Sequence, residues 1–202
     1  MEVGLLLLAA YLLGSVSFAV VASWLFNLPD PRTYGSKNPG ATNVLRSGKK
    51  VAAVVTLLGD AGKGWLAVIL ANYFSQAWQL GNEAVAGVAI AVFLGHLFPI
   101  FLGFKGGKGV ATSAGVLLGL DLSLGLLVIF TWILVAMLWR ISSLSAIVSA
   151  LLAPIYAFIL FDSKINIWAI TIISLLLLWR HKSNFINLAI GKETRIGEKS
   201  RL

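Results

Sequence analysis

The sequence predicts an all-α, polytopic integral membrane protein with about seven transmembrane helices. The composition is too apolar for a soluble fold to hide, apolar runs near membrane length follow one another, and basic residues gather in alternate segments between them. Hydrophobic residues fill 58% of the 202 positions and charged residues only 12%, about half the charged share of an ordinary soluble domain. Mean hydropathy is +0.90. The chain has no cysteine, which excludes disulfides, thiolate metal sites and a thioester intermediate. A net charge of +8 in a soluble chain would point to nucleic acid. Here it reads as an orientation signal that faces anionic lipid headgroups, and no nucleic-acid partner is expected.

A helix needs roughly 20 apolar residues to cross the hydrocarbon. Val3–Phe26 meets that length. It lacks the basic flank and small-residue cleavage site of a signal peptide, so it reads as a retained span. Val51–Ser75, Ala84–Gly103 and Ile141–Leu160 follow, and Ile165–Trp179 is short. Gly109–Trp139 is too long for one span and too short for two, with Asp121 near its middle.

Charge placement decides that segment. Arg32, Lys37, Arg46, Lys49 and Lys50 lie in Asn27–Lys50, Lys105 and Lys108 in a glycine-rich stretch, and Arg140 stands alone. A basic tail runs from Arg180 to Arg201, while Glu2, Glu83, Asp121 and Asp162 fall at the alternate ends. The positive-inside rule puts the basic clusters in the cytoplasm. Glycine stretch and tail share that side only if Gly109–Trp139 crosses twice, turning at Asp121. Seven spans result, with the N-terminus outside and the C-terminus cytoplasmic. The first of the two crossings, Val110–Leu120, reaches only about 16 Å of a ~30 Å core. The glycine stretch before it is therefore expected to be sunk into the protein. No repeat and no polar linker divides residues 1–202, which read as one domain.

Three polar segments carry the candidate chemistry. "NLPDPRTYGSKNPGATNVLRSGKK", Asn27–Lys50, is much longer than a helix connection needs. Arg32, Ser36, Lys37, Asn38, Thr42, Asn43 and Arg46 can all donate to an oxyanion. The Asn38-Pro39-Gly40 turn exposes consecutive backbone N–H groups, and Asn43 and Arg46 share a face if a helix starts near Thr42. "GHLFPIFLGFKGGKGVATSAG", Gly95–Gly115, lacks the Gly-Lys-[Ser/Thr] ending of an ATPase P-loop. Its glycines, lysines and the start of a helix near Val110 still suit an anion. His96 beside Pro99 reads equally as an interfacial histidine or a site residue. In the tail, His181 and Asn184 share a face if the last span continues helically, and Ser142 and Ser143 stand at another cytoplasmic span end. Asp60 and Lys63, three apart inside a span, read as a structural ion pair.

Anion donors on one side of a membrane fit acyl transfer onto a phosphorylated polyol. The His-x-x-x-x-Asp pattern of many glycerolipid acyltransferases is missing, because Phe101 and Ile186 stand where the acid would be. There is no Gly-x-Ser-x-Gly elbow either, and the acids are scattered too singly for a metal cluster.

"GSKNPGATNVLR" (Gly35–Arg46), "GHLFPIFLGFKGGKGVAT" (Gly95–Thr112) and "HKSNFINLAIGKE" (His181–Glu193) resemble the three motifs of the bacterial membrane glycerol-3-phosphate acyltransferases that use acyl-phosphate. The third departs at Lys182 and Phe185 but keeps His181, Asn184 and Gly191. The resemblance implies acyl transfer from acyl-phosphate to the 1-hydroxyl of sn-glycerol 3-phosphate, giving lysophosphatidic acid and inorganic phosphate, the entry step of phospholipid synthesis. It implies no cofactor, an inner-membrane location with loops facing the cytoplasm, and functional contact with the soluble enzyme that makes acyl-phosphate. The candidate catalytic residues are His181, Asn184, Lys105 and Ser143. The candidate substrate- and phosphate-binding residues are Ser36, Lys37, Asn38, Gly40, Thr42, Asn43, Arg46, His96, Gly106, Gly107, Lys108, Gly109, Thr112 and Ser142. Two bases are open, His181 or a phosphate oxygen of the donor, and the lack of an acid spaced to orient either histidine favours the donor. The rival reading is a transporter of an organophosphate anion, against which the one-sidedness of the polar residues speaks.

Overall fold

The computed structural model describes residues 1–197. Glu198, Lys199 and Arg201, the last charged residues of the tail, lie outside the described residues. Ten α-helices and no strand are found among the described residues: α1 Glu2–Ser15, α2 Phe18–Leu25, α3 Ala41–Leu45, α4 Lys50–Ala77, α5 Asn82–Leu97, α6 Val110–Leu120, α7 Leu122–Trp139, α8 Ser142–Leu160, α9 Lys164–Arg180 and α10 Lys182–Ala189. A 3-10 turn over Ile100–Leu102 extends α5.

Helix is the form this composition demands, since hydrocarbon offers no partner to a backbone N–H or carbonyl. Four helices are long and apolar enough to cross a membrane: α4, α5 with its 3-10 extension, α7 and α8. The bent pair α1 and α2, counted as one span, brings the number to five, and α6 is a shorter apolar helix. Large apolar side chains such as Leu126, Phe130 and Met137 on α7 stay exposed, as a lipid-facing surface requires.

Small residues set the close helix pairs. On α1 and α5, a Cβ at Gly14 would run into the Val92 carbonyl and one at Gly95 into the Tyr11 carbonyl. On α4 and α6, Gly64 lies on the Thr112 carbonyl and Gly115 on the Ala61 carbonyl. Without side chains at these points the backbones approach closely, the arrangement that packing in a membrane favours. Phe93 and Leu97 on α5 fill the main core with Val68, Val92 and Val116.

Asp121 turns the chain between α6 and α7 as the sequence implies. It takes an extended conformation and its Oδ1 accepts the Leu124 N–H at 2.8 Å, capping α7. Within Val3–Phe26, the first expected span, the helix is broken. Val16 (ψ 114°) and Ser17 (ψ 105°) are extended, and α1 and α2 are bent by 42°. No proline is present to cause this; α4 supplies the missing partners. Lys63 Nζ donates to the Val16 carbonyl at 2.6 Å, and the Phe18 N–H lies 3.4 Å from Asp60 Oδ1. Gly59 leaves room for the Phe18 ring.

Gly115→Ala is expected to destabilise the protein by roughly 1–3 kcal/mol through overpacking. Gly62→Ala, where a Cβ meets open space, should change stability by no more than about 1 kcal/mol. Thermal unfolding of both variants in detergent checks this.

Candidate active site

The polar segments converge at one end of the bundle, where each is held by contacts with the others. The first is organised around Asn43 at the buried turn of α3. Its Nδ2 donates to the carbonyls of Pro31 (2.7 Å) and Tyr34 (3.2 Å), and its Oδ1 accepts the Ser36 N–H at 2.9 Å. The loop winds around that amide, and Gly35, at φ +57°, leaves the space a Cβ would take from Asn43 Oδ1. Asn43 is thus committed to the loop's own backbone. The loop presents Ser36, Lys37 and Asn38 to a cavity of about 300 Å³. Arg32 is occupied too, since it chelates Asp30 (2.6–3.1 Å) and holds that carboxyl below its ordinary range.

The glycine loop forms another wall. Gly106 lies against Pro99 and the carbonyls of His96 and Leu97, Gly107 against the His96 ring, and Gly109 at φ +89° against the Phe93 ring. These positions are too crowded for a side chain. Sequence reasoning read the glycines as letting backbone approach a phosphate; the structure shows that they also let the loop lie flat on the core. The Gly107 N–H is taken by the His96 carbonyl at 3.2 Å. Arg180 holds the far side of the same loop, donating to the carbonyls of Gly106 (2.8 Å) and Gly107 (3.2 Å). Gly109 caps α6, whose first turn leaves unpaired N–H groups at a positive helix end.

The remaining wall comes from the tail. The last span does not continue unbroken through His181, because α9 ends at Arg180 and α10 starts at Lys182. His181 sits at the junction and its carbonyl accepts the Asn184 N–H at 2.8 Å, so the two residues still adjoin. Asn184 Oδ1 accepts from Lys108 Nζ at 2.5 Å, and its Nδ2 donates to Glu193 Oε1 at 2.7 Å. Ser143 Oγ donates to the same carboxylate oxygen at 2.7 Å. Arg46 donates to Thr194, the Ile196 N–H donates to the Arg140 carbonyl, and the Arg140 guanidinium donates to the Ile196 carbonyl, so the tail is tied across the mouth.

The cavity lining includes Lys37, Lys108, Arg180 and Lys182, with Ser36, Asn38, Gly106, Trp179 and Ser183, and none of these is acidic. Burial pushes the Lys108 ammonium below its ordinary pKa, with Arg180 and Arg46 adding to the shift and Glu193 opposing it. Burial likewise lowers Arg180. His181 Nδ1 lies 2.8 Å from the Leu177 carbonyl. A carbonyl only accepts, so Nδ1 carries the proton and Nε2 the lone pair. Burial first, then Lys108 and Arg180, depress its pKa to about 4.

Other candidates lie farther out. Thr42 Oγ1 and Ser142 Oγ are 3.1 Å apart. Gly40 caps α3, Thr112 is buried, and His96 lies beneath the loop. Lys105 is exposed and outside the cavity lining. Sequence reasoning missed Arg180, taken as one of many tail charges, and Glu193, whose status as the lone acid within the third motif was the available signal. Among the described residues no group of three His, Asp or Glu side chains gathers as a metal site.

An apolar helix bundle with a cation-lined cavity at its polar end defines an integral membrane protein whose polar end has the charge to suit an anionic ligand. The glycerol-3-phosphate acyltransferase family profile matches residues 4–191. The chain is 68% identical to the glycerol-3-phosphate acyltransferase of Nitrosomonas europaea over 96% of its own length and 98% of the relative's. It is 63% identical to that of Nitrosospira multiformis over 96% of both chains. Among solved structures it is similar to PlsY (YgiH), an integral membrane glycerol 3-phosphate acyltransferase, in its glycerol 3-phosphate form. There the TM-score is 0.90 at 32% identity, over 98% of this chain and 96% of the other. The chain belongs to the glycerol-3-phosphate acyltransferase family.

Because folding holds His181 neutral, its effect on stability appears on the acid side. The unfolded histidine takes up a proton near pH 6.5 while the folded one resists until about 4. Stability should therefore fall as pH drops through that window, by roughly 3 kcal/mol at most. Subtracting the pH dependence of a His181→Asn variant, measured by thermal unfolding, isolates this contribution.

Proposed function

We propose that the protein transfers an acyl group from acyl-phosphate to the 1-hydroxyl of sn-glycerol 3-phosphate, the first step of phospholipid synthesis. The observation that carries this reading is the cavity: Lys37, Lys108, Arg180 and Lys182 line a polar space of about 300 Å³ at the end of an apolar bundle. Family membership supports it, since the matched relatives are named for acylating glycerol 3-phosphate. The proposal extends to a single domain of seven spans with the N-terminus outside. The site loops then face the cytoplasm at the inner membrane, open to the soluble enzyme that makes acyl-phosphate.

In this reading the hydroxyl oxygen attacks the acyl carbonyl, the acyl carbon–phosphate oxygen bond breaks, and inorganic phosphate departs. Charge develops on the carbonyl oxygen and on the leaving phosphate. Lys108, Arg180 and the N-terminal end of α6 are arranged to stabilise it. The hydroxyl proton goes to a phosphate oxygen of the donor. His181, with its pKa near 4, is too weak a base to lead, and its Nε2 lone pair instead orients the hydroxyl. Asn184 and Ser143, fixed by Glu193, complete the positioning, and aligned substrates supply much of the acceleration.

The test is purified protein with palmitoyl-phosphate and sn-glycerol 3-phosphate, palmitoyl-CoA serving as parallel donor. Equal amounts of phosphate and lysophosphatidic acid from palmitoyl-phosphate alone are expected. No product from either donor with folded protein would reject the enzyme reading and favour a transporter, which uptake into proteoliposomes would reveal. His181→Ala should raise KM and leave the acid limb of the pH–rate profile in place. Loss of that limb would make His181 the base.

A further inference from the structure

The glycine loop rests on a charge cluster buried within the bundle. Lys63 Nζ lies 2.8 Å from Asp60 Oδ1, with side-chain exposures of 1% and 3%. His96 Nδ1, equally enclosed, is 3.6 Å from the same oxygen and has no hydrogen-bond partner. That separation is too long for a hydrogen bond, so the contact is electrostatic. From there the ring runs directly to the loop: its Nε2 and Cε1 occupy the space a Cβ on Gly107 would need, and the His96 carbonyl takes the Gly107 N–H.

A structural ion pair accounts for only part of this arrangement. Asp60 and Lys63 supply the backbone partners missing at the α1–α2 break, which a neutral pair such as Asn and Gln can also do. What the carboxylate adds is a reason for the His96 ring to stand where it does, edge toward Asp60 and opposite edge under Gly107. Gly107 is held from the other side by Arg180 and immediately precedes Lys108, whose ammonium reaches Asn184. A tilt of the ring would move the loop and displace that ammonium.

We propose that Asp60, backed by Lys63, is a positioning residue for the reaction, acting through His96 to set the height of the glycine loop and thus the reach of Lys108. The proposal rests on the reading that this loop holds a substrate phosphate. Asp60 itself touches no substrate.

The test compares Asp60→Asn/Lys63→Gln, His96→Gln and Gly107→Ala by steady-state kinetics with palmitoyl-phosphate and glycerol 3-phosphate. Each substrate is varied while the other is held saturating. The double variant removes both charges together and so avoids an unpaired buried ion. His96→Gln leaves the ion pair intact, and so remains informative if the double variant does not fold. Gly107→Ala identifies the substrate the loop serves by raising its KM. The expected result is that the other two variants raise the same KM, by roughly 10- to 100-fold, with the second substrate's KM and the thermal midpoint near wild type. Combining His96→Gln with the double variant should add little, because both act through one ring. Wild-type KM values in His96→Gln, alongside a raised KM in Gly107→Ala, would overturn the positioning role and leave the cluster as a cap on the helix break. Unchanged KM values in Gly107→Ala would reject the phosphate-loop reading, and the proposal with it.

Discussion

Hydrocarbon provides no hydrogen bonds, so every interruption of a helix in this bundle has to be satisfied by the protein itself. That constraint organises the structure. The first interruption, at Val16 and Ser17, is met by Lys63 and Asp60 from α4. The second, the glycine loop, is met by the His96 carbonyl beneath it and the Arg180 guanidinium above it. Both solutions use charge where charge is costly, and both lie along one line from α1 through α4 and α5 to the cavity. The irregular backbone that the site needs is tolerated because it is backed by protein on one side and lines the polar cavity on the other.

The cavity carries a second tension. Lys37, Lys108, Arg180 and Lys182 face one small space, and burial weakens the cationic state of Lys108 and Arg180. Glu193 relieves part of that repulsion through space at Lys108 without lining the cavity, held in place by hydrogen bonds from Asn184 and Ser143. In the proposed reaction a substrate phosphate entering the cavity would supply the counter-charge that the lining lacks. In a low-dielectric setting that interaction is worth far more than it would be in water. The tail that brings Glu193 into place is itself held by Arg46 and Arg140, so the third motif depends on the first for its position.

Much of this was legible in the chain. The apolar runs, the turn at Asp121, the short helix from Val110 and the gathering of the three polar segments at one end follow from composition, helix length and charge placement. Individual roles within the segments were less legible. Asn43 looks like an anion donor in sequence and is spent on its own loop. Arg180 looks like an orientation charge and instead grips the glycine loop. Neither histidine has an acid at the spacing that local patterns seek, yet His96 faces Asp60 from another helix.

The sequence by itself determined that the chain is a helical membrane protein with its polar chemistry gathered on one side, because these properties follow from apolar length and from charge, which are additive along the chain. Only the tertiary structure decided which polar groups are free to meet a ligand and which are consumed by backbone. It also decided that the first span bends and that Gly106, Gly107 and Gly109 pack directly on the core. Those outcomes depend on close approaches between distant segments, Gly107 to His96 and Asp60 to Phe18 among them. Hydrogen bonds act over about 3 Å, so which partner wins is settled only once the helices have packed.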